Sequence, residues 1–331
     1  MNHHQVECGF DSTTTVAVVG LGLLGRGIAA CLLGHGLRVV GFSRSNETHD
    51  VARRYIDEAI RELIEHAGFD SSLEEHWIER FTPAQDIEAI RGCDLVIESI
   101  DEDLLVKHAV FDRIESVIRN TVPVASNTSA LPISVLQQGR RHPERFVGMH
   151  WAQPCHATQF LEIIRGDQTS DEAVRFVASF GRCVGKEPSI ILKDVPGFIA
   201  NRLGYAVHRE ALHLLEMGVA DVETIDRSYR NAVGIWATLC GPFRWMDLNG
   251  GPALYAKAES AVVAELSTSR ELSPIMKKLA DEGSRGIVNG RGFYNYTKEE
   301  AEDWTKRLHE RVWAIRRLTS PPIATGTDSR G

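Results

Sequence analysis

The segment Gly20-Leu21-Gly22-Leu23-Leu24-Gly25 carries three glycines at the spacing that lets a backbone close around a phosphate. Gly20 permits a tight turn. Gly22 allows a pyrophosphate to touch the main chain, and Gly25 allows a helix and a strand to pack closely. A helix starting at Leu23 and Leu24 aims unpaired N–H groups and the positive end of its dipole at the same phosphates. The run follows the apolar stretch Val16-Ala17-Val18-Val19 and leads into helical spacing that lasts to about Leu33. Strand, glycine turn and helix in that order distinguish a dinucleotide cradle from glycines that merely punctuate a loop.

The next apolar run, Arg38-Val39-Val40-Gly41-Phe42, reads as a second strand. In such cradles its end usually holds an Asp or Glu that grips the adenosine ribose of NAD. Ser43 and Arg44 stand there instead. Without a carboxylate a 2′-phosphate is not repelled, and a guanidinium can pair with it. Ser43 and Arg44 therefore favour NADP. The alternative is that Arg44 is a solvated turn residue and the cofactor is NAD.

A cradle of this kind needs a parallel sheet behind it. Further short apolar runs lie at 94–97, 122–126, 146–150, 160–164 and 189–192. Helical stretches fall at about 50–66 and 73–80, and Ser170 can cap another between the last two strands. Alternating strands and helices predict a doubly wound α/β sheet. The character changes at Asp194-Val195-Pro196-Gly197, after which no convincing strand follows. Helical spacing runs from Phe198 to Met217 and stops at Gly218, Asp221 can cap the next helix, and a terminal helix spans Lys298 to Leu318. The expected organisation is a dinucleotide-binding domain at 13–193, a helical substrate and dimerisation domain at 194–318, and flexible tails at 1–12 and 319–331.

The 331 residues include 37 Lys plus Arg against 45 Asp plus Glu, for a net charge of −8. That balance argues against nucleic acid as a partner, because binding its backbone needs surplus basic charge. No apolar run approaches the roughly 20 residues that cross a bilayer, and the polar start MNHHQVECGFDSTTT does not read as a secretory signal. The six cysteines form no CxxC pair, so neither a metal site nor a redox pair is suggested, and they read as reduced thiols of a cytoplasmic protein.

Seven segments in order carry a wider resemblance: GLGLLGRGIA (20–29), DLVIESIDED (94–103), SNTSALPI (126–133), GMHWAQP (148–154), LEII (161–164), DVPGFIANR (194–202) and GRGFYNY (290–296). With them the chain resembles the L-3-hydroxyacyl-CoA dehydrogenase family from about Thr14 to Tyr296. The resemblance implies a Rossmann-like domain followed by an all-helical domain that forms a homodimer, and a role in fatty-acid-type metabolism. It implies His150 as the catalytic base, Glu162 as the carboxylate that orients it, and Ser129 and Asn201 as polar groups that hold the substrate. It also places Glu102 and Lys107 near the nicotinamide half of the cofactor, with Asn127 and Gln153 among the cofactor-binding residues. Oxidising a secondary alcohol removes a hydroxyl proton as hydride leaves the same carbon, and an imidazole can exchange that proton in both directions near neutral pH.

Among the chain's departures from the family, two bear on cofactor and substrate binding. Gln153 stands where an Asn is usual before Pro154, and the stretch at 50–80, where a basic hairpin meets CoA, is rich in Glu and has no Lys. An acidic wall is a poor neighbour for CoA phosphates. The expected substrate is thus a 3-hydroxyacyl-CoA or a short 3-hydroxy acid. The alternatives are a small non-CoA hydroxy or formyl aromatic acid, or a non-catalytic nucleotide-binding structural protein.

Overall fold

The computed structural model describes residues 9–319, and the chain divides into two compact units at Asn201–Arg202. The first unit is built on eight strands: β1 Thr15–Val19, β2 Arg38–Phe42, β3 Phe81–Ala84, β4 Leu95–Glu98, β5 Val124–Ser126, β6 Phe146–Trp151, β7 Phe160–Ile164 and β8 Glu187–Ile191. Their order in the sheet is β3-β2-β1-β4-β5-β6-β7-β8. All neighbours are parallel except β6 and β7. The chain leaves β1 toward β2 and later returns through β4 on the other side. That reversal opens a crevice beyond the carboxyl ends of β1 and β4, where ligands of such sheets bind.

Strands β4 and β6 are buried at every position. This explains their unbroken apolar runs, since helices cover both faces of a parallel sheet. The helices are α1 Leu23–Gly34, α2 Asn46–Ala67, the single turn α3 Leu73–His76, α4 Leu104–Val117, the single turn α5 Ile133–Leu136, and α6 Asp171–Cys183. Side-chain caps mark three of their starts: Ser45 on α2, Asp103 on α4 and Ser170 on α6 each accept a backbone N–H of the first turn. The core packs Phe111 and Ile114 of α4 against Val96, Val124 and Phe146 of the sheet.

Two expectations are corrected. Phe81-Thr82-Pro83-Ala84 forms a strand that its sequence pattern does not signal. Pro83 cannot serve a central strand, and β3 accommodates it by lying at the sheet edge with β2 as its one neighbour. The helix expected over 73–80 divides into α3 and a tighter turn at Trp77–Arg80.

The second unit holds α7 Ala200–Glu216, which begins two residues before the division, then α8 Val222–Trp236, α9 Pro242–Leu248, α10 Gly251–Glu259, α11 Pro274–Asp281 and α12 Lys298–Thr319. Among its described residues the only β structure is a pair of isolated bridges, Gly286–Arg291 and Arg291–Asn295. Gly218 adopts φ 69° after α7, and Asp221 caps α8 through the Thr224 N–H at 2.8 Å.

Of the expected tails, residues 1–8 and 320–331 lie outside the described residues. Phe10 packs edge-on against Phe176 and Phe180, so the packing of the first unit reaches back into the segment read as a tail. Cys31, Cys93, Cys155 and Cys240 are free thiols. Cys183 is disulfide-bonded, which corrects the reading of it as reduced.

Candidate active site

The glycine cradle follows β1 directly. Gly20 takes φ 98°, and its N–H donates to the Phe42 carbonyl at 2.9 Å. A Cβ at Gly20 would lie 2.4 Å from the Ser99 carbonyl oxygen, and one at Gly25 only 1.8 Å from the Gly20 oxygen. These two glycines are required by the fold itself. Gly22 differs: a Cβ there meets nothing within 4 Å, its φ is −63°, and it precedes α1 without a side-chain cap. The first-turn N–H groups of α1 are thus not satisfied by a side chain, and the space above them is open. That is the geometry an anionic pyrophosphate fits. Leu23 is exposed beside this opening and Leu24 is half-buried.

At the end of β2, the Ser43 N–H donates to the Ala84 carbonyl at 3.0 Å, and Arg44 is exposed. Gln153 joins the cradle to the strand that carries His150. Its Nε2 donates to the Leu23 carbonyl at 2.7 Å, and its Oε1 accepts from the Tyr55 hydroxyl at 3.3 Å. Burial raises the Tyr55 pKa above its ordinary value, so the hydroxyl remains a donor. Neighbouring Cys155 is pushed by burial up to about 12. A thiol of that kind is inert at neutral pH.

His150 and Glu162 are direct cross-strand partners in the antiparallel register of β6 and β7. Opposed residues in such a pair project to the same face. The imidazole Nδ1 lies 2.9 Å from Glu162 Oε2, and both residues are buried. The other carboxylate oxygen, Oε1, accepts the Ile199 N–H at 3.2 Å and the Ala200 N–H at 2.9 Å. The ring of His150 also rests against Phe160 and Phe198. With Nδ1 engaged, Nε2 has no hydrogen-bond partner among the described residues and is the nitrogen able to exchange a proton.

The segment after β5 supplies the other polar groups. Asn127 Oδ1 accepts the Trp151 N–H at 2.9 Å, and its Nδ2 donates to Ser99 Oγ at 3.1 Å. Asn201 Nδ2 donates to the Ser129 carbonyl at 2.9 Å, which brings these two residues together. Glu102 Oε1 accepts from the Thr128 hydroxyl and from the N–H groups of Ser129 and Ala130. Burial alone would raise the Glu102 carboxyl. The Thr128 hydroxyl, the two amides and the Lys107 ammonium outweigh it and hold the pKa below the usual value.

Lys107 is only 1% exposed. Its Nζ lies 2.6 Å from Glu98 Oε1 and 3.4 Å from Glu102 Oε2. Glu98 is a residue the sequence reading missed. It is fully buried at the end of β4 and also accepts from Ser126 Oγ at 2.6 Å and from the Ile100 N–H at 2.8 Å. A charged residue closing an apolar parallel strand demands a buried partner, which was the available signal.

A doubly wound sheet with an open glycine cradle at its switch point, beside a buried histidine–carboxylate pair, defines an NAD-binding oxidoreductase. Residues 15–195 match the model of the 3-hydroxyacyl-CoA dehydrogenase NAD binding domain, and residues 197–296 match that of the C-terminal domain. The chain belongs to the 3-hydroxyacyl-CoA dehydrogenase family. It is 34% identical to 5-formyl-3-hydroxy-2-methylpyridine 4-carboxylate 5-dehydrogenase of Mesorhizobium japonicum, over 92% of this chain and 97% of that one. A probable 3-hydroxybutyryl-CoA dehydrogenase of Deinococcus radiodurans is 32% identical over 84% of this chain and 99% of its own length. Among solved structures, the 5-formyl-3-hydroxy-2-methylpyridine 4-carboxylic acid 5-dehydrogenase, an NAD+-dependent dismutase, superposes with a TM-score of 0.86 at 32% identity, covering 92% of this chain and 98% of the other. The (S)-3-hydroxybutyryl-CoA dehydrogenase of Ralstonia eutropha gives 0.71 at 28% identity, over 86% and 99%.

Proposed function

We propose that the protein oxidises the hydroxyl-bearing carbon of a small free acid, or reduces the corresponding oxo group, with His150 as the proton-exchanging base. The observation that carries this reading is the His150–Glu162 cross-strand pair. Glu162 takes the Nδ1 proton side of the ring, which fixes the tautomer and leaves Nε2 to accept the substrate hydroxyl proton. The resulting imidazolium is stabilised by the same carboxylate. Ser129 and Asn201, already linked to each other, stand as the groups that orient the substrate. The open N-terminus of α1 with Gly22 would hold the pyrophosphate of a nicotinamide dinucleotide, which would supply the hydride acceptor or donor when bound. A secondary alcohol becomes a ketone by losing hydride and the hydroxyl proton. An aldehyde can enter as its hydrate and leave as the carboxylic acid by the same two losses.

A free acid is favoured over an acyl-CoA by charge. In the stretch at 50–80, Arg53 is paired with Asp50, and Arg61 with both Asp57 and Glu74. Guanidinium groups engaged in this way offer little to CoA phosphates. The Mesorhizobium relative, named for a pyridine carboxylate, supports the same choice. The acyl-CoA reading rests on the family and on the Deinococcus relative.

The cofactor is read more finely as NADP, on Ser43 and the exposed Arg44. A homodimer is read from the helical unit, in which no residue of α7–α11 is buried. The deciding experiment follows NAD(P)H absorbance with acetoacetyl-CoA, free short 3-oxo acids and aromatic formyl acids, each with both cofactors. Turnover of free acids, fastest with the phosphorylated cofactor, is expected. Turnover of acetoacetyl-CoA alone would reject the free-acid reading, and a preference for NAD would reject the reading of Arg44.

A further inference from the structure

We propose that Phe198 is a positioning residue for the base, an inference that rests on reading His150 and Glu162 as the working pair. Phe198 is the one non-glycine residue with positive φ among the described residues, at 51°, and it directly follows Gly197 at 77°. Left-handed backbone is unfavourable for a residue with a bulky side chain, and it persists where the surroundings hold it in place. Two sets of contacts do so here.

The first is the ring. Phe198 is 1% exposed, and its ring centroid lies 5.8 Å from that of His150 at an interplanar angle of 59°. Phe160 packs edge-on against the same imidazole at 5.5 Å. The plane of His150 is therefore held by aromatic packing as well as by its bond to Glu162.

The second is the backbone. The left-handed turn at Gly197-Phe198 aims the next two N–H groups, those of Ile199 and Ala200, at Glu162 Oε1. The start of the turn is tied down too. Asp194 Oδ2 accepts the Ser134 N–H at 2.6 Å, and the Phe198 N–H donates to the Val195 carbonyl at 3.0 Å. One residue thus orients both members of the pair: its ring holds the imidazole, and the chain leaving it holds the carboxylate. A Phe198 with ordinary negative φ would swing either the ring or the two amides away.

The test compares full-length Phe198→Leu, Phe198→Gly and His150→Asn proteins with the parent. Turnover is measured on the substrate the parent accepts, together with thermal melting and NAD(P)H fluorescence titration. Leu keeps apolar bulk without a flat ring, and Gly removes both the ring and the backbone strain. A misplaced base costs kcat, while cofactor affinity and KM are left alone. The expected result is a kcat roughly tenfold lower with Leu and roughly a hundredfold lower with Gly, with KM and cofactor Kd within about twofold of the parent. Parental kcat in the folded Leu protein would overturn the inference, as would parental kcat in the Gly protein. If the Gly protein does not fold, the Leu protein decides. His150→Asn separates the two ideas. Full turnover there rejects the base itself, whereas lost turnover there with parental turnover in both Phe198 proteins rejects only the role of Phe198.

Discussion

An imidazole serves as a reversible base only when its ring is held and one nitrogen remains for the substrate. Glu162 meets the first need by accepting from Nδ1, and its own second oxygen is fixed by two backbone amides. Glu162→Gln keeps the size but replaces an acceptor with an amide that can donate to Nδ1, favouring the wrong tautomer. We expect kcat to fall by roughly 10²- to 10⁴-fold with cofactor affinity unchanged, measured by steady-state turnover and fluorescence titration. Parental kcat in that protein would remove the carboxylate from the mechanism. Glu102 has a different task, since it gathers the Thr128 hydroxyl and the amides of Ser129 and Ala130. Its folded pKa lies below the ordinary 4.5. The stabilisation it contributes is therefore complete above that ordinary value and is lost as pH falls through the lower folded value. The thermal midpoint of the parent should drop on acidification through that window. Glu102→Gln should show a shallower drop, and an identical acid slope in the two proteins would contradict this account.

The cradle separates two glycines that the fold needs from one, Gly22, whose Cβ would meet only open space. Gly25→Ala would drive a Cβ into the Gly20 carbonyl, so α1 must move off β1 and the protein should melt markedly earlier. Gly22→Ala meets only open space, at a φ that alanine accepts readily. We expect its melting temperature to match or exceed that of the parent, while cofactor binding weakens by about tenfold or more. Unchanged cofactor affinity in Gly22→Ala would mean that the pyrophosphate does not approach the backbone there. Much of this architecture was legible from the residues. The apolar runs of β1, β2, β4 and β6 named their own strands because both faces are covered, and Ser170 and Asp221 announced helix starts through their capping chemistry. The direct pairing of His150 with Glu162 was also within reach. Only residues 152–159 connect β6 to β7, too short a link for a parallel crossover, which forces the strands antiparallel. The left-handed turn at Phe198 was not legible, because a phenylalanine gives no sign of positive φ. The edge strand β3 was hidden for a related reason, as Pro83 argues against a strand until its position at the margin is known.

The two units differ in how they satisfy their apolar residues. The sheet unit buries long aliphatic runs within itself, as at Val16–Val19 and Leu95–Ile97. The helical unit does not: in α7–α11 no residue is buried, and in α12 only Trp313 is. Leu239 is 77% exposed and Phe243 80%. Helices of a folded domain normally bury one stripe, and apolar surface left open on this extent marks an interface. A second copy of the same chain is the simplest cover, because a twofold axis lets one patch meet itself. The full chain should therefore sediment at twice the mass of one chain across the micromolar range, and raised salt should not dissociate it, since the contact is apolar rather than ionic. Phe243→Glu and Leu239→Glu test where the contact lies, by placing a charge that must be desolvated on that surface. Dissociation in either protein would map the contact to the α8–α9 corner, and a parent that sediments as a single chain at every concentration would show that these helices stand open on their own.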